Sequence, residues 1–149
     1  MDRHAEPITI LMAEDDPDDR LLTREALAES RLLNGLLFVE DGEELLDYLH
    51  GRGQYAAPGR APRPDLILLD LNMPRKDGRE ALAEIKADPD LRRIPIVVLT
   101  TSKAEEDILR TYDLGVSGFI TKPATFEGLV EATRVMTTYW FQIVKLPPK

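Results

Sequence analysis

Residues 65–74 read Asp65-Leu66-Ile67-Leu68-Leu69-Asp70-Leu71-Asn72-Met73-Pro74. Unbroken aliphatic residues followed by a carboxylate suit a strand buried on both faces, because a half-exposed strand would alternate apolar with polar. Outward from this segment, similar short runs recur at Ile8 to Ala13, Leu36 to Val39, Ile96 to Leu99, and Phe119 with Ile120. The stretches between them carry helical spacing, as in Ala81, Leu82 and Ile85, then Ile108, Leu109 and Tyr112. Strand then helix, repeated, predicts an α/β fold: a doubly wound five-stranded parallel sheet with right-handed crossovers and helices on both faces. Ligands in that architecture sit beyond the carboxyl ends of the strands, where the strand order switches.

Local punctuation marks the boundaries. Asp16-Pro17 opens a helix, Asp41-Gly42 breaks the chain after the second strand, and Asp88-Pro89 stops the third helix. The segment from Gly51 to Pro64 is rich in Gly, Pro, Arg and Ala and forms a long connection before the third strand. Its composition suits a linker; a docking loop for a partner is the sharper reading.

A chain of 149 residues has room for one ordinary domain and a short appendage. The net charge of -8 argues against general nucleic-acid binding, which recruits basic patches. The absence of cysteine removes disulfides and thiolate nucleophiles. No stretch approaches the roughly 20 apolar residues of a membrane span, and the charged start from Met1 to Pro7 lacks a signal-peptide pattern, so a cytoplasmic protein is expected.

The chemistry-bearing residues follow the apolar runs. Glu14-Asp15-Asp16 ends the first, Asp70 the third, Thr100-Thr101-Ser102 the fourth and Thr121-Lys122-Pro123 the fifth. In the expected fold they converge on one sheet edge. Carboxylates brought together repel, so the assembly makes sense chiefly with a neutralising cation. Hard oxygen ligands suit Mg²⁺, and no His or Cys cluster suggests zinc.

Over roughly Ile8 to Thr138 the sequence resembles the receiver domains of two-component signalling. The acidic pair Glu14-Asp15, the acceptor Asp70 within Leu-Leu-Asp-Leu-Asn-Met-Pro, the following Asp77-Gly78, the hydroxyl of Thr100, the aromatic Phe119 and the pair Lys122-Pro123 occur in the family's order. The resemblance implies a (βα)5 flavodoxin-like fold with strand order 2-1-3-4-5, and one receiver domain over 1–149. The core would span about 8–138, with an extended C-terminal helix and tail over about 139–149. It also implies that Asp70 takes a phosphoryl group from a sensor histidine kinase. Asp15 would ligate Mg²⁺ together with Asp70 and the backbone carbonyl of Asn72, and Glu14 would hold a water on the metal. Thr100 and Lys122 would contact the phosphoryl oxygens, and the Lys122-Pro123 bond would be cis. Catalysis in such a site is positioning plus charge neutralisation, without a dedicated enzyme active site.

Plainer roles compete for some of these residues. Asp16 beside Pro17 reads as a helix cap, one of Thr101 and Ser102 as another, and the isolated His4 and His50 as surface residues. Two other functions use similar residues. A phosphohydrolase of the haloacid dehalogenase type needs a second Asp two places after its nucleophile, where this chain has Asn72. A pseudo-receiver that is never phosphorylated is disfavoured by the intact Asp15, Asp70, Thr100 and Lys122 set.

If the family's switch applies, phosphorylation draws Thr100 inward and Phe119 fills the vacated space by packing alone, since it has no phenolic oxygen. In the last helix Met136, Tyr139, Trp140, Phe141, Ile143 and Val144 spread over several faces. A helix apolar nearly all round is expected to pack against a second copy, giving a homodimer. The Gly51 to Pro64 segment and the terminal Tyr139-Trp140-Phe141 stretch resemble the small regulators paired with bacterial phytochrome kinases. Without a nucleic-acid or membrane partner, the signal would pass to an unknown downstream protein by contact.

Overall fold

A computed structural model describes residues 8–29, 34–70, 78–100, 116, 118–121, 128 and 131 of the chain. Its elements run β1 (Ile8–Ala13), α1 (Pro17–Glu29), β2 (Asn34–Val39), α2 (Gly42–His50), a 3-10 turn (Gly53–Tyr55), β3 (Leu66–Asp70), α3 (Gly78–Ala87), β4 (Ile96–Thr100) and β5 (Gly118–Thr121). All strand pairs are parallel, in the order β2-β1-β3-β4-β5. This is the expected doubly wound sheet. The helices expected after β4 and β5 lie outside the described residues, except that Gly128 and Glu131 are helical.

The aliphatic runs of β1 to β4 are continuous because each of these strands feeds two cores. Leu11, Ala13, Ile67, Leu69, Ile96 and Val98 face one side, where Leu45, Leu46 and Tyr48 of α2 and Ala81, Leu82 and Ile85 of α3 cover them. Their alternate neighbours Ile10, Met12, Leu66, Leu68, Val97 and Leu99 form the second core with Leu36 and Phe38. On this second side the guanidinium of Arg24 in α1 lies 5.1 Å from the centre of the Phe38 ring. Every residue of β3 is buried, as expected for the central strand of a parallel sheet.

Strand β2 starts at Asn34, before the apolar run at Leu36. Pairing of Ile8 with Asn34 and Thr9 with Gly35 uses backbone groups and needs no apolar side chain. At the start of β3, Asp65 N–H donates to the Thr9 carbonyl at 2.8 Å and the Asp65 carboxylate accepts from Thr9 N–H at 2.9 Å. These two bonds fix the register of β3 against β1.

The helix boundaries follow the local chemistry. Asp16 Oδ1 accepts from Asp18 N–H at 2.9 Å, so Asp16 caps α1 and Pro17 takes the first helical position. Asp41 caps α2 through Glu44 N–H at 2.8 Å, and Gly51 closes the helix with φ +64°, a left-handed geometry suited to glycine. After α3, Asp88 Oδ1 accepts from Asp90 and Leu91 N–H groups at 2.8 and 3.3 Å.

The connection after Gly51 is more ordered than its linker-like composition suggests. Tyr48 donates to the Pro62 carbonyl, Tyr55 donates to Glu44 Oε2, and the two rings meet edge to face at 5.0 Å. Tyr55 and Ala61 pack against the core, and Pro64 is buried ahead of β3.

Candidate functional site

Sheet order switches between β1 and β3: β1 leads outward to β2, and β3 lies on its other side. A cleft at the carboxyl edge follows from that reversal. Ala13 pairs with Leu69, so the residues just beyond, Glu14 and Asp70, emerge side by side. Asp15 follows on the turn. Ligating oxygens of Glu14, Asp15 and Asp70 all lie within 4.8 Å of one another.

Burial differs sharply across the three. Glu14 and Asp70 are buried, at 1% and 4% exposure, whereas Asp15 is exposed. At 4.8 Å each pair of charged carboxylates repels by on the order of 3 kcal/mol for an effective dielectric near 20. A divalent cation with oxygen ligands would convert the repulsion into coordination, and these three residues could hold one.

The neighbouring strand ends complete the edge. Asp70 pairs with Leu99, and the next residue, Thr100, pairs with Thr121, the residue before Lys122. The backbone therefore brings the Asp70, Thr100 and Thr121 positions to adjacent strand ends. Phe119 lies on β5 paired with Val98. Asn72, Lys122, the Lys122-Pro123 bond and the terminal residues Met136, Tyr139, Trp140, Phe141, Ile143 and Val144 lie outside the described residues.

The acidic turn is fastened by its backbone. Glu14 N–H donates to the Val39 carbonyl at 2.9 Å, and Asp16 N–H reaches Glu14 Oε2 at 3.3 Å. Arg20 donates from Nε to the Glu14 carbonyl at 2.8 Å and from Nη2 to the Asp15 carbonyl at 3.3 Å. Sequence reasoning missed Arg20. A signal existed: it is a cation in the first turns of a helix opened by Asp18 and Asp19, where the helix dipole favours anions. A residue placed against the dipole has a reason elsewhere in the fold.

Comparison with known proteins agrees with this geometry. The family model for the response regulator receiver domain matches residues 10–134. Response regulator Rcp1 of Synechocystis sp. is 43% identical over 141 residues, covering 95% of this chain and 94% of that protein. Its Mn²⁺-bound crystal structure superposes with a TM-score of 0.87. The phosphorylated cyanobacterial phytochrome response regulator RcpA is 46% identical, with a TM-score of 0.88 over 96% of this chain and all of that one. RPA3017, a response regulator in red light signalling of R. palustris, is 38% identical, with a TM-score of 0.90 over 95% of this chain and 99% of that one. With the sheet order, the clustered carboxylates and these likenesses in agreement, the chain belongs to the response regulator receiver-domain family and is homologous to phytochrome response regulators.

Proposed function

We propose that this chain is a single-domain response regulator whose Asp70 accepts a phosphoryl group from a phosphohistidine of a sensor histidine kinase. The convergence of Glu14, Asp15 and Asp70 at the switch point of the sheet carries the reading. A carboxylate oxygen of Asp70 forms the new bond to phosphorus as the phosphorus–nitrogen bond to the kinase imidazole breaks. The imidazole leaves with that electron pair and takes a proton. Asp70 suits the nucleophile's role because it ends a fully buried strand and so has a fixed direction.

Mg²⁺, when bound, would neutralise charge between the carboxylates and the incoming phosphoryl oxygens. The clustered oxygens of Glu14, Asp15 and Asp70 suit such an ion; Asp15, Asp70 and the Asn72 carbonyl would ligate it, and Glu14 would hold a water on it. The Mn²⁺-bound form of Rcp1 supports a divalent-metal site. Thr100 would donate its hydroxyl, and Lys122 its ammonium, to the transferred group. Phe119 would then repack as Thr100 moves inward.

The likeness to RcpA and to RPA3017 supports a phytochrome-type kinase as the phosphoryl donor. The rest of the output is by protein contact, with a homodimer formed by Met136, Tyr139, Trp140, Phe141, Ile143 and Val144 and an unassigned downstream protein. No helix among the described residues is long and apolar enough to cross a membrane, and we place the protein in the cytoplasm.

Incubation with acetyl phosphate and Mg²⁺, followed by intact-mass measurement, tests the central step. Wild type gains one phosphoryl group; Asp70→Asn, or wild type with EDTA in excess, gains none. Addition to Asp70→Asn at the wild-type rate rejects Asp70 as acceptor, and no addition to wild type favours a pseudo-receiver. Light scattering at tens of micromolar tests the dimer, and a monomer rejects it.

A further inference from the structure

The carboxylates of the acidic turn face mutual repulsion, and the two on β1's end are held unequally. Glu14 is buried, so packing fixes it. Its peptide groups are also clamped, the N–H on the Val39 carbonyl and the carbonyl on Arg20 Nε. Asp15 is exposed, so packing does not stop it from swinging away from Glu14 and Asp70. A bond from Arg20 Nη2 to the Asp15 carbonyl, at 3.3 Å, extends the clamp to that residue.

One guanidinium therefore spans two consecutive peptide carbonyls. The Arg20 side chain is only 24% exposed, and Arg20 N–H also donates to the Asp16 carbonyl at 3.0 Å. Arginine's rigid fork can bridge two acceptors, whereas a lysine ammonium is a single point of charge on a flexible stem. The contact of Nη2 with Glu40 Oε1, at 3.5 Å to a carboxylate 66% exposed, is too long and too wet to matter much.

We propose that Arg20 is a positioning residue for the divalent cation: it holds the Glu14–Asp15 backbone in the metal-ready form before the ion arrives. The inference rests on the divalent-metal reading of the three carboxylates. Without Arg20 the free protein relaxes by splaying Asp15, and binding must first restore it. The loss then appears as weaker affinity, because a preorganised site has less ordering left to do on binding.

Titration calorimetry with Mg²⁺ alone, on wild type and on Arg20→Gln, Arg20→Lys and Glu40→Gln, tests this. Arg20→Gln should weaken Mg²⁺ binding by about tenfold, equivalent to about 1.4 kcal/mol. Arg20→Lys should lie between it and wild type, and Glu40→Gln should stay within about twofold of wild type. In acetyl phosphate reactions the half-saturating Mg²⁺ concentration of Arg20→Gln should rise in parallel, while the rate at saturating Mg²⁺ returns to near wild type. A general structural defect would lower that plateau and leave half-saturation in place. Wild-type Mg²⁺ affinity in folded Arg20→Gln overturns the proposal; if that variant does not fold, wild-type affinity in Arg20→Lys overturns the two-carbonyl clamp. Failure of wild type itself to bind Mg²⁺ would instead reject the metal reading on which the inference stands.

Discussion

The phenolic oxygen of Tyr48 lies 2.7 Å from the carbonyl oxygen of Pro62, joining the buried face of α2 to the far end of the connection that precedes β3. Tyr55 fastens the near end through Glu44, and its ring packs against Tyr48. Glu44 has a third duty, accepting Glu40 N–H on its other carboxylate oxygen at 2.7 Å just before the helix begins. The connection is thus tied to the start of α2 and to its buried face.

Removing the Tyr48 hydroxyl tests the value of that tie. Tyr48 is 4% exposed but Pro62 is exposed, so water can reach the orphaned carbonyl in Tyr48→Phe. The cost should therefore sit near that of an ordinary lost hydrogen bond, about 1 kcal/mol. Urea denaturation should show a lower midpoint with an unchanged slope, and phosphorylation of Asp70 should continue. An unchanged midpoint would mean that the bond adds nothing to stability.

The same tyrosines make stability sensitive to alkali. Burial pushes the Tyr48 hydroxyl up from 10.0 to about 12. Burial also raises Tyr55, reinforced by its hydrogen bond to the Glu44 carboxylate. Because the folded values exceed the unfolded ones, the contribution is fully present below about pH 10 and is lost as pH rises toward about 12. Urea midpoints taken between pH 8 and 11 should fall at the upper end, and Tyr48→Phe should flatten the fall. An equally steep decline in that variant would assign the effect to other groups.

Much of this fold was readable from the residues, and the limits were physical. Burial of both sheet faces removes the period-two alternation from the runs around Ile10 and Ile67, so their shortness, aliphatic density and bounding turn signals, not periodicity, announce them as strands. Asp70 and Asp15 were legible because strand ends in such a sheet converge. The start of β2 at Asn34 was not, since backbone pairing leaves no mark on side-chain polarity. Arg20 escaped for a related reason: its acceptors are peptide carbonyls, which every residue carries. Tyr55 and Glu44 meet only after the connection folds back over α2. The roles of Thr100 and Lys122 came from family likeness alone.

Removing one of the clustered charges should stabilise the protein when no divalent ion is present. Asp70→Asn keeps the shape of the side chain and deletes a repulsion with Glu14 and Asp15. A gain of about 1–3 kcal/mol is expected in EDTA, read as a higher thermal midpoint. Added Mg²⁺ should then raise the midpoint of wild type more than that of Asp70→Asn, because ligand stabilisation scales with affinity. A lower midpoint for Asp70→Asn in EDTA would show that Asp70 is held by attractions that outweigh its acidic neighbours.

At the other end of α2, Gly51 isolates a purely conformational cost. Its φ of +64° is left-handed, and a Cβ there would meet the Tyr55 carbonyl oxygen at 3.8 Å, an ordinary contact. Gly51→Ala should therefore lose about 1 kcal/mol from backbone strain rather than from a clash. Asparagine tolerates this conformation better than alanine, so Gly51→Asn should lose less. Thermal midpoints in the order wild type, Asn, Ala would fit that account, because steric crowding would penalise the larger asparagine more. A larger loss for asparagine than for alanine would point instead to the volume at position 51, and to a tighter fit against the 3-10 turn than the 3.8 Å separation implies.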